Sequence, residues 1–216
     1  MTSPRVEPRN GLDRRKEKTM GATPQLVHVV LQTARPAAVR DWYCTVLDAH
    51  VVHAGHGLTF LTFDEEHHRI ALLEIPAEAA RPKEPGTVGM HHMAFTFGSL
   101  DGLLERYRQL REAGIEPAVP IQHGVTTSLY YRDPDGNFVE MQIDNFAGPD
   151  EATAYMNGPE YDSDPVGPAF DVTRMIAARR AGTPVEVLTT RSWALSGPAL
   201  PDPMRILTGS ATPPSS

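Results

Sequence analysis

The sequence predicts an α+β fold in which a β-α-β-β-β unit occurs twice and is followed by a C-terminal extension. Residues 92–97 (His-Met-Ala-Phe-Thr-Phe) repeat the pattern of residues 28–33 (His-Val-Val-Leu-Gln-Thr). In both copies an amphipathic helix and then three short alternating strands follow. Since neither copy could bury the helix-facing side of its strands alone, we expect the two modules to pack together.

The first module is predicted over residues 25–76. It begins with a strand at 25–33 and continues with a helix at 36–47, where Pro36 is acceptable in the first turn. Val39, Trp42, Tyr43, Val46 and Leu47 form the apolar stripe of this helix. Its remaining strands are predicted at 49–54, 58–63 and 69–75.

The second module is predicted over residues 90–147, after a linker rich in proline and glycine. Ser99 can cap a helix that runs to about Ala113, and Gly114 can end it. Strands are predicted at 116–121, 125–132 and 137–144. The last two are joined by Asp133-Pro134-Asp135-Gly136, in which proline fixes φ and glycine allows a positive φ.

The two ends of the chain differ from the modules in composition and lack their alternating pattern. Residues 1–24 carry several basic side chains but no apolar run, so we expect a disordered tail rather than a signal peptide. Residues 148–216 hold ten of the 20 prolines and one predicted helix near 172–181, with Asp171 as its cap. We expect this extension to pack on the core, to close over a site or to join a partner subunit, with its last dozen residues disordered.

Composition narrows the function classes. A net charge of −7 and a pI near 5.7 argue against a nucleic-acid-binding protein, which usually has a basic face. Cys44 is the single cysteine, which excludes an internal disulfide framework and a cysteine-rich zinc site. No apolar run is long enough for a membrane helix. The redox compartment is otherwise unconstrained, and a cytoplasmic location is the default expectation.

Three side chains are candidates for a metal site: His28, His92 and Glu140. Alternation places each of them on the less apolar face of its strand, whereas the apolar face would pack on the helices. The two histidines and the carboxylate can therefore converge inside one curved sheet. Such a set leaves coordination positions open, as is typical of non-haem Fe(II) sites that react with O₂.

Each candidate also has an ordinary structural interpretation. A single strand histidine is usually hydrogen-bonded or at the surface, and a strand glutamate is usually solvated. However, His28 and His92 occupy the same place in two copies of a repeat, and Glu140 ends the second copy. His91, on the apolar face, is expected to be structural or to support the neighbouring ligand.

Three segments together resemble a known family: residues 28–31, residues 91–95, and residues 130–140 with their Asp-Pro-Asp-Gly-Asn turn. They are similar to the vicinal oxygen chelate superfamily (glyoxalase, bleomycin resistance protein and dioxygenase) over roughly residues 25–147. Within it, the chain looks most like type I extradiol ring-cleavage dioxygenases. The resemblance implies two β-α-β-β-β modules cupped around a divalent metal, with His28, His92 and Glu140 at the ligand positions.

The resemblance also implies a chemistry. Fe(II), or alternatively Mn, Zn or Ni, would bind a catechol-like diol that reacts with O₂. Tyr130 matches the tyrosine that hydrogen-bonds the substrate, and His123 falls close to the acid–base histidine. The fold often pairs, so a homo-oligomer is expected.

Two alternatives stay open at this point. A glyoxalase-like isomerase or transferase would use Glu74 as a fourth ligand and prefer Zn, Ni, Mn or Co, although Glu74 also fits a solvated strand end. A metal-free drug-binding resistance protein would have no use for the two histidines and the glutamate.

Overall fold

The computed structural model describes residues 24–81, 83–84 and 86–209. Its elements appear in the predicted order, with one βαβββ module after the other and then a helical C-terminal extension, described over residues 148–209. The α+β fold class and the duplicated module are therefore confirmed. The tail predicted over residues 1–24 lies outside the described residues, apart from residue 24.

The first module forms a four-stranded mixed sheet in the order β1-β4-β3-β2, with β1 parallel to β4. Leu26 and Val27 were predicted as strand residues but lie outside it, because their carbonyl oxygens accept hydrogen bonds from the Arg69 guanidinium. The elements are β1 (Val29–Thr33), α1 (Pro36–Leu47), β2 (His50–Gly55), β3 (Leu58–Thr62) and β4 (Ile70–Glu74).

The second module repeats this topology, with the order β5-β8-β7-β6 and β5 parallel to β8. The predicted cap is present, since the Ser99 hydroxyl accepts a hydrogen bond from the Gly102 amide at 3.1 Å. The elements are β5 (His92–Thr96), α2 (Leu100–Glu112), β6 (Val119–Gln122), β7 (Thr126–Arg132) and β8 (Phe138–Asp144).

The turn between β7 and β8 also joins the two modules. Asp133 is only 4% exposed, and its carboxylate accepts hydrogen bonds from the backbone amides of Asp135 and Asn137. The other carboxylate oxygen accepts a hydrogen bond from the Tyr43 hydroxyl of α1 at 3.2 Å. Arg35, just before α1, pairs with Asp135 at 2.9 Å. The aspartates of this turn therefore hold the modules together rather than taking part in the candidate site.

The C-terminal extension contains more helix than the sequence pattern indicates. The predicted helix near 172–181 is present as α5 (Val172–Arg180), with the Asp171 carboxylate capping the Arg174 amide. The expectation of a single helix was wrong, because the other five helices are each too short for a periodic pattern to be recognised. They are α3 (Pro149–Met156), α4 (Pro159–Ser163), α6 (Val185–Leu188), α7 (Arg191–Leu195) and α8 (Pro203–Thr208).

Helix α8 also corrects the expectation of a disordered last dozen residues, as far as Gly209; residues 210–216 lie outside the described part. Its position explains the order, because the apolar side chains Ile206 and Leu207 pack against β6, β7 and β8. Among the described residues no helix has the length and apolar character needed to cross a membrane.

The extension packs on both faces of the second sheet. On the α2 side, Phe170, Met175 and Leu188 join the main apolar core, and all three are at most 1% exposed. On the opposite face, residues of the extension contact Tyr130 and Phe138; they are Val166, Ala169, Ile206 and Leu207. Of the three predicted arrangements of the extension, packing on the core is the one observed.

Candidate functional site

Glu140 lies in the middle of β8 and is 4% exposed, on the sheet face that the C-terminal extension covers. Its Oε2 atom lies 3.0 Å from His92 Nε2, and its Oε1 atom lies 3.9 Å from His123 Nε2. Ala94 of β5 pairs with Glu140, and His92, two residues earlier on β5, therefore shares the face of Glu140. The structure thus brings together the predicted residues His92, His123 and Glu140.

The carboxylate of Glu140 stays ionised despite its burial. Burial raises the pKa of Glu140, but hydrogen bonds from His92 and Ser128 and the nearby histidines outweigh it. The pKa is therefore lowered from its usual value. A buried carboxylate that keeps its charge is a suitable ligand for a cation.

His123 follows β6, and the geometry of its ring fixes which nitrogen is protonated. Its Nδ1 atom lies 2.6 Å from the Val166 carbonyl oxygen. Because a carbonyl oxygen can only accept, Nδ1 carries the proton, and the neutral ring is left with a bare Nε2. That nitrogen lies 3.0 Å from the Tyr130 hydroxyl, which also hydrogen-bonds the Glu140 carboxylate.

The pKa shifts of this pair agree with that assignment. Burial lowers the pKa of the His123 imidazole, which outweighs the opposing effects of Glu140 and Val166, so the ring is neutral near pH 7. Burial, and then the charge of Glu140, raises the pKa of the Tyr130 hydroxyl. Tyr130 is therefore a hydrogen-bond donor next to a neutral base.

His91 connects His92 to the C-terminal extension. Its Nε2 atom lies 3.0 Å from the Leu207 carbonyl oxygen, and its Nδ1 atom lies 2.8 Å from His92 Nδ1. Since the Leu207 carbonyl can only accept, His91 Nε2 donates to it, and the two Nδ1 atoms share one hydrogen bond. The Nε2 atom of His92 hydrogen-bonds Glu140, and it is the nitrogen through which His92 can bind a metal beside that carboxylate.

The structure does not gather His28 with these residues. His28 precedes β1 and is exposed, and its ring stacks on His68 with 4.4 Å between the centroids. Within the described ranges, no three His, Cys, Asp or Glu side chains are close enough together to hold a metal ion.

The pairing of the strands settles the position of Glu74. With His28 matched to His92, Val30 matches Ala94; Val30 pairs with Ala71, and Ala94 pairs with Glu140. Ala71 therefore stands where the second module has its carboxylate. Glu74 is three residues farther along β4, on the opposite face and exposed, so it is not placed as a fourth ligand.

The donors present fit an ion such as Fe(II) in type, since imidazole nitrogen and carboxylate oxygen both suit it. His92 Nε2 and Glu140 Oε2, 3.0 Å apart, are the two donors that the structure places side by side. For His28 to join them, its ring would have to leave His68.

Sequence reasoning missed three contributors to this site. Ser128 lies two residues before Tyr130 on β7 and hydrogen-bonds Glu140, so strand alternation could have placed it on the same face. The other two are the carbonyl groups of Val166 and Leu207. A backbone carbonyl carries no residue-type signal, so no motif could have predicted them.

Comparison with known proteins agrees with the fold. The chain is 66% identical over 190 residues to biphenyl-2,3-diol 1,2-dioxygenase 2 of Rhodococcus globerulus, covering 88% of this chain and 100% of that protein. It is 56% identical to biphenyl-2,3-diol 1,2-dioxygenase 3 of the same organism, covering 82% of this chain and 93% of that one.

A solved glyoxylase/bleomycin resistance protein/dioxygenase domain from Frankia sp. EAN1pec shares the fold, with a TM-score of 0.50 and 19% identity over 59% of this chain and 96% of that one. Residues 25–141 match the Glyoxalase/Bleomycin resistance protein/Dioxygenase superfamily. Together with the two Rhodococcus relatives, this match shows that the chain belongs to that superfamily.

Proposed function

We propose that this chain cleaves the aromatic ring of a diol of the biphenyl-2,3-diol type with O₂, at Fe(II) held by His92, Glu140 and His28. The 66% identity to a biphenyl-2,3-diol 1,2-dioxygenase along that protein's whole length makes the chain an extradiol ring-cleaving dioxygenase. The single observation that carries the residue roles is the contact of His92, His123 and Tyr130 around buried Glu140.

The ion would be held by the Nε2 atom of His92 and a carboxylate oxygen of Glu140, with His28 as the third ligand. When bound, Fe(II) lowers the pKa of the coordinated diol and couples its electrons to O₂. The charge of Glu140 favours a cation, and the Nδ1 contact between His92 and His91 orients the His92 ring toward Glu140.

His123 and Tyr130 supply the proton transfers. The bare Nε2 of His123 can accept a proton from a diol hydroxyl, and the imidazolium can return it to the oxygen that leaves. The Tyr130 hydroxyl, whose pKa is raised, stays protonated and can donate a hydrogen bond to a substrate oxygen. Burial of both rings by the C-terminal extension keeps water away from this transfer.

Neither of the other interpretations gains support. The isomerase or transferase interpretation needs a fourth ligand from the first module, where Ala71 occupies the matching position and Glu74 faces away. The drug-binding interpretation leaves a buried, ionised Glu140 without a purpose.

The test is oxygen uptake with a panel of catechols. The protein is loaded with Fe(II) in the absence of air, its iron content is measured, and 2,3-dihydroxybiphenyl, catechol and 3-methylcatechol are added in turn with O₂. We expect one O₂ consumed per diol, a coloured ring-opened product, and the highest kcat/KM for 2,3-dihydroxybiphenyl. No oxygen uptake by iron-loaded protein would overturn the proposal.

A further inference from the structure

The C-terminal extension binds His123 at two points. The Val166 carbonyl oxygen accepts the Nδ1 proton of the ring, and a guanidinium nitrogen of Arg191 donates to the His123 carbonyl oxygen. Arg191 is 6% exposed and also donates to the Glu160 carbonyl oxygen at 3.0 Å. Side chain and backbone of His123 are thus both held by residues that follow the second module.

The approach of Val166 depends on the glycine that follows it. Gly167 has a φ of +85°, and a Cβ atom built on it would lie 2.0 Å from the Gln122 carbonyl oxygen. That distance is far inside van der Waals contact with rigid backbone, so no side chain fits there. Glycine is needed both for the space and for the backbone conformation.

The neighbouring residues form a short stretch beside β6. The Gln122 amide donates to the Pro168 carbonyl oxygen at 2.9 Å, and Ile121 forms an antiparallel bridge with Ala169. We call residues 166–169 the clamp segment. Since it is hydrogen-bonded to the strand that leads into His123, a shift of the clamp segment moves the Val166 carbonyl relative to the ring.

We propose that the clamp segment is a positioning element for the reaction: the Val166 carbonyl imposes the Nδ1–H tautomer of His123, and this leaves Nε2 unprotonated and able to act as the base. The inference rests on the proposed function, in which His123 moves protons. Without the carbonyl, the carboxylate of Glu140, 3.9 Å from Nε2, would favour a proton on that nitrogen instead. Such a ring has no lone pair directed at the site, and it could not accept a proton there.

The first experiment reads the tautomer without turnover. The full-length protein is labelled with ¹⁵N-histidine and freed of metal, and long-range ¹H–¹⁵N correlation spectra distinguish the protonated from the bare nitrogen of each ring. The His123→Gln spectrum identifies the signals of His123. We expect the proton on Nδ1 near pH 7.5. A proton on Nε2 would overturn the inference whether or not the enzyme turns over.

The second experiment compares two glycines of the extension. Gly167→Ala inserts a methyl group against Gln122, whereas Gly182→Ala (φ +92°) adds a similar backbone strain with no atom within 4 Å. With Fe(II) loaded equally, we expect Gly167→Ala to lower kcat by more than about tenfold with KM changed less than about threefold, because general base catalysis is lost and substrate binding is not.

The same spectra should show the His123 proton moving partly to Nε2 in Gly167→Ala, whereas Gly182→Ala should match the wild type in tautomer and kcat. Equal kcat values for the two variants would overturn the inference. If Gly167→Ala does not fold, the position of the His123 proton in the wild-type spectrum tests the inference by itself. Because that spectrum needs neither metal nor diol, it is independent of the catechol panel that tests the proposed function.

Discussion

The two modules have the same strand order but differ in what covers the sheet face that carries the histidine. In the first module this face is open, with Val30 51% exposed. In the second, the C-terminal extension covers it, and Tyr130, Phe138 and Glu140 are 3 to 5% exposed. The two modules therefore have the same topology, but in the part of the chain that the structure describes the extension covers the histidine-bearing face of the second sheet only, where Glu140 is buried.

The same difference appears in the histidine pairs. His67 and His68 in the first module are linked by Nδ1 atoms 2.6 Å apart, as His91 and His92 are at 2.8 Å in the second. Only the second pair is also bonded to a carbonyl of the extension and placed next to a carboxylate. Among the described residues, the histidine pair of the first module lacks this combination of partners. In the second module the rings are oriented by hydrogen bonds and lie beside the charged Glu140 carboxylate.

Removing the carboxylate is expected to have the largest effect. Glu140→Gln should lower Fe(II) affinity and ring cleavage by more than about 100-fold, because a neutral amide is a poor ligand and leaves His92 unpaired. Glu74→Gln, the same change on the last strand of the first module, should leave both unchanged. Iron content after dialysis measures the affinity, and oxygen uptake measures ring cleavage. Equal losses in Glu140→Gln and Glu74→Gln would contradict the placement of the site in the second module.

Two neighbouring tyrosines of β7, on opposite faces of the sheet, test which face carries the catalytic groups. Tyr130→Phe should lower kcat about 10- to 1,000-fold, since a donor to the reacting oxygens is lost. Tyr131 lies on the opposite face, and its buried hydroxyl lacks a partner among the described residues. Tyr131→Phe should therefore keep kcat and not lower the free energy of unfolding. A larger kcat loss in Tyr131→Phe would contradict the assignment.

The two histidine pairs can be compared directly. His91→Ala should retain the metal but weaken its affinity about tenfold, because His92 loses the partner that orients its ring. His67→Ala removes the corresponding neighbour of His68 and should not change metal affinity. Competition with a chelator measures the metal affinity of each variant. A loss of affinity in His67→Ala alone would contradict the assignment of the metal site to the second module.

The pH dependence follows from the lowered pKa of His123. The acid limb of kcat/KM should have its midpoint below 6.5, the ordinary value, since activity needs the neutral ring. His123→Gln should lose that limb. The sign for stability is the same: the folded state binds this proton less readily than the unfolded chain does, so the free energy of unfolding falls as pH drops below about 6.5. A midpoint above 6.5 would contradict the burial of the ring.

The smallest effect concerns the contact between the modules at the turn that joins β7 and β8. Tyr43→Phe removes the hydrogen bond from α1 to Asp133, and we expect a loss of about 1 kcal/mol in the free energy of unfolding. Asp133 keeps its other donors, so kcat should be unchanged. Urea denaturation measures the difference, and a change in kcat would show that this contact also shapes the site.

Most of the fold could be predicted from the sequence because its signals are local. Helix 36–47 was predicted with the observed bounds, since its apolar stripe and Pro36 are both visible in the chain. The short helices of the extension could not be, because each depends on contacts with the second sheet rather than on its own periodicity.

For the site, alternation identified the face of His92 and Glu140, and the family resemblance supplied His123 and Tyr130. The placement of His28 beside His68 was not foreseeable, since stacking between rings from two different strand ends depends on the tertiary fold. The metal set of His28, His92 and Glu140 therefore stays a prediction. Of the three, His28 is the ligand that most needs a test, and the iron content of His28→Ala would provide it.

The carbonyl groups that orient the two imidazoles belong to Val166 and Leu207, which follow the last strand of the second module by 22 and 63 residues. Synthesis runs from the N-terminus, so every side chain proposed to bind the metal or move a proton is made before the Leu207 carbonyl. The alignment of the His91–His92 pair can therefore be completed only after α8 has been synthesised and has docked on the second sheet.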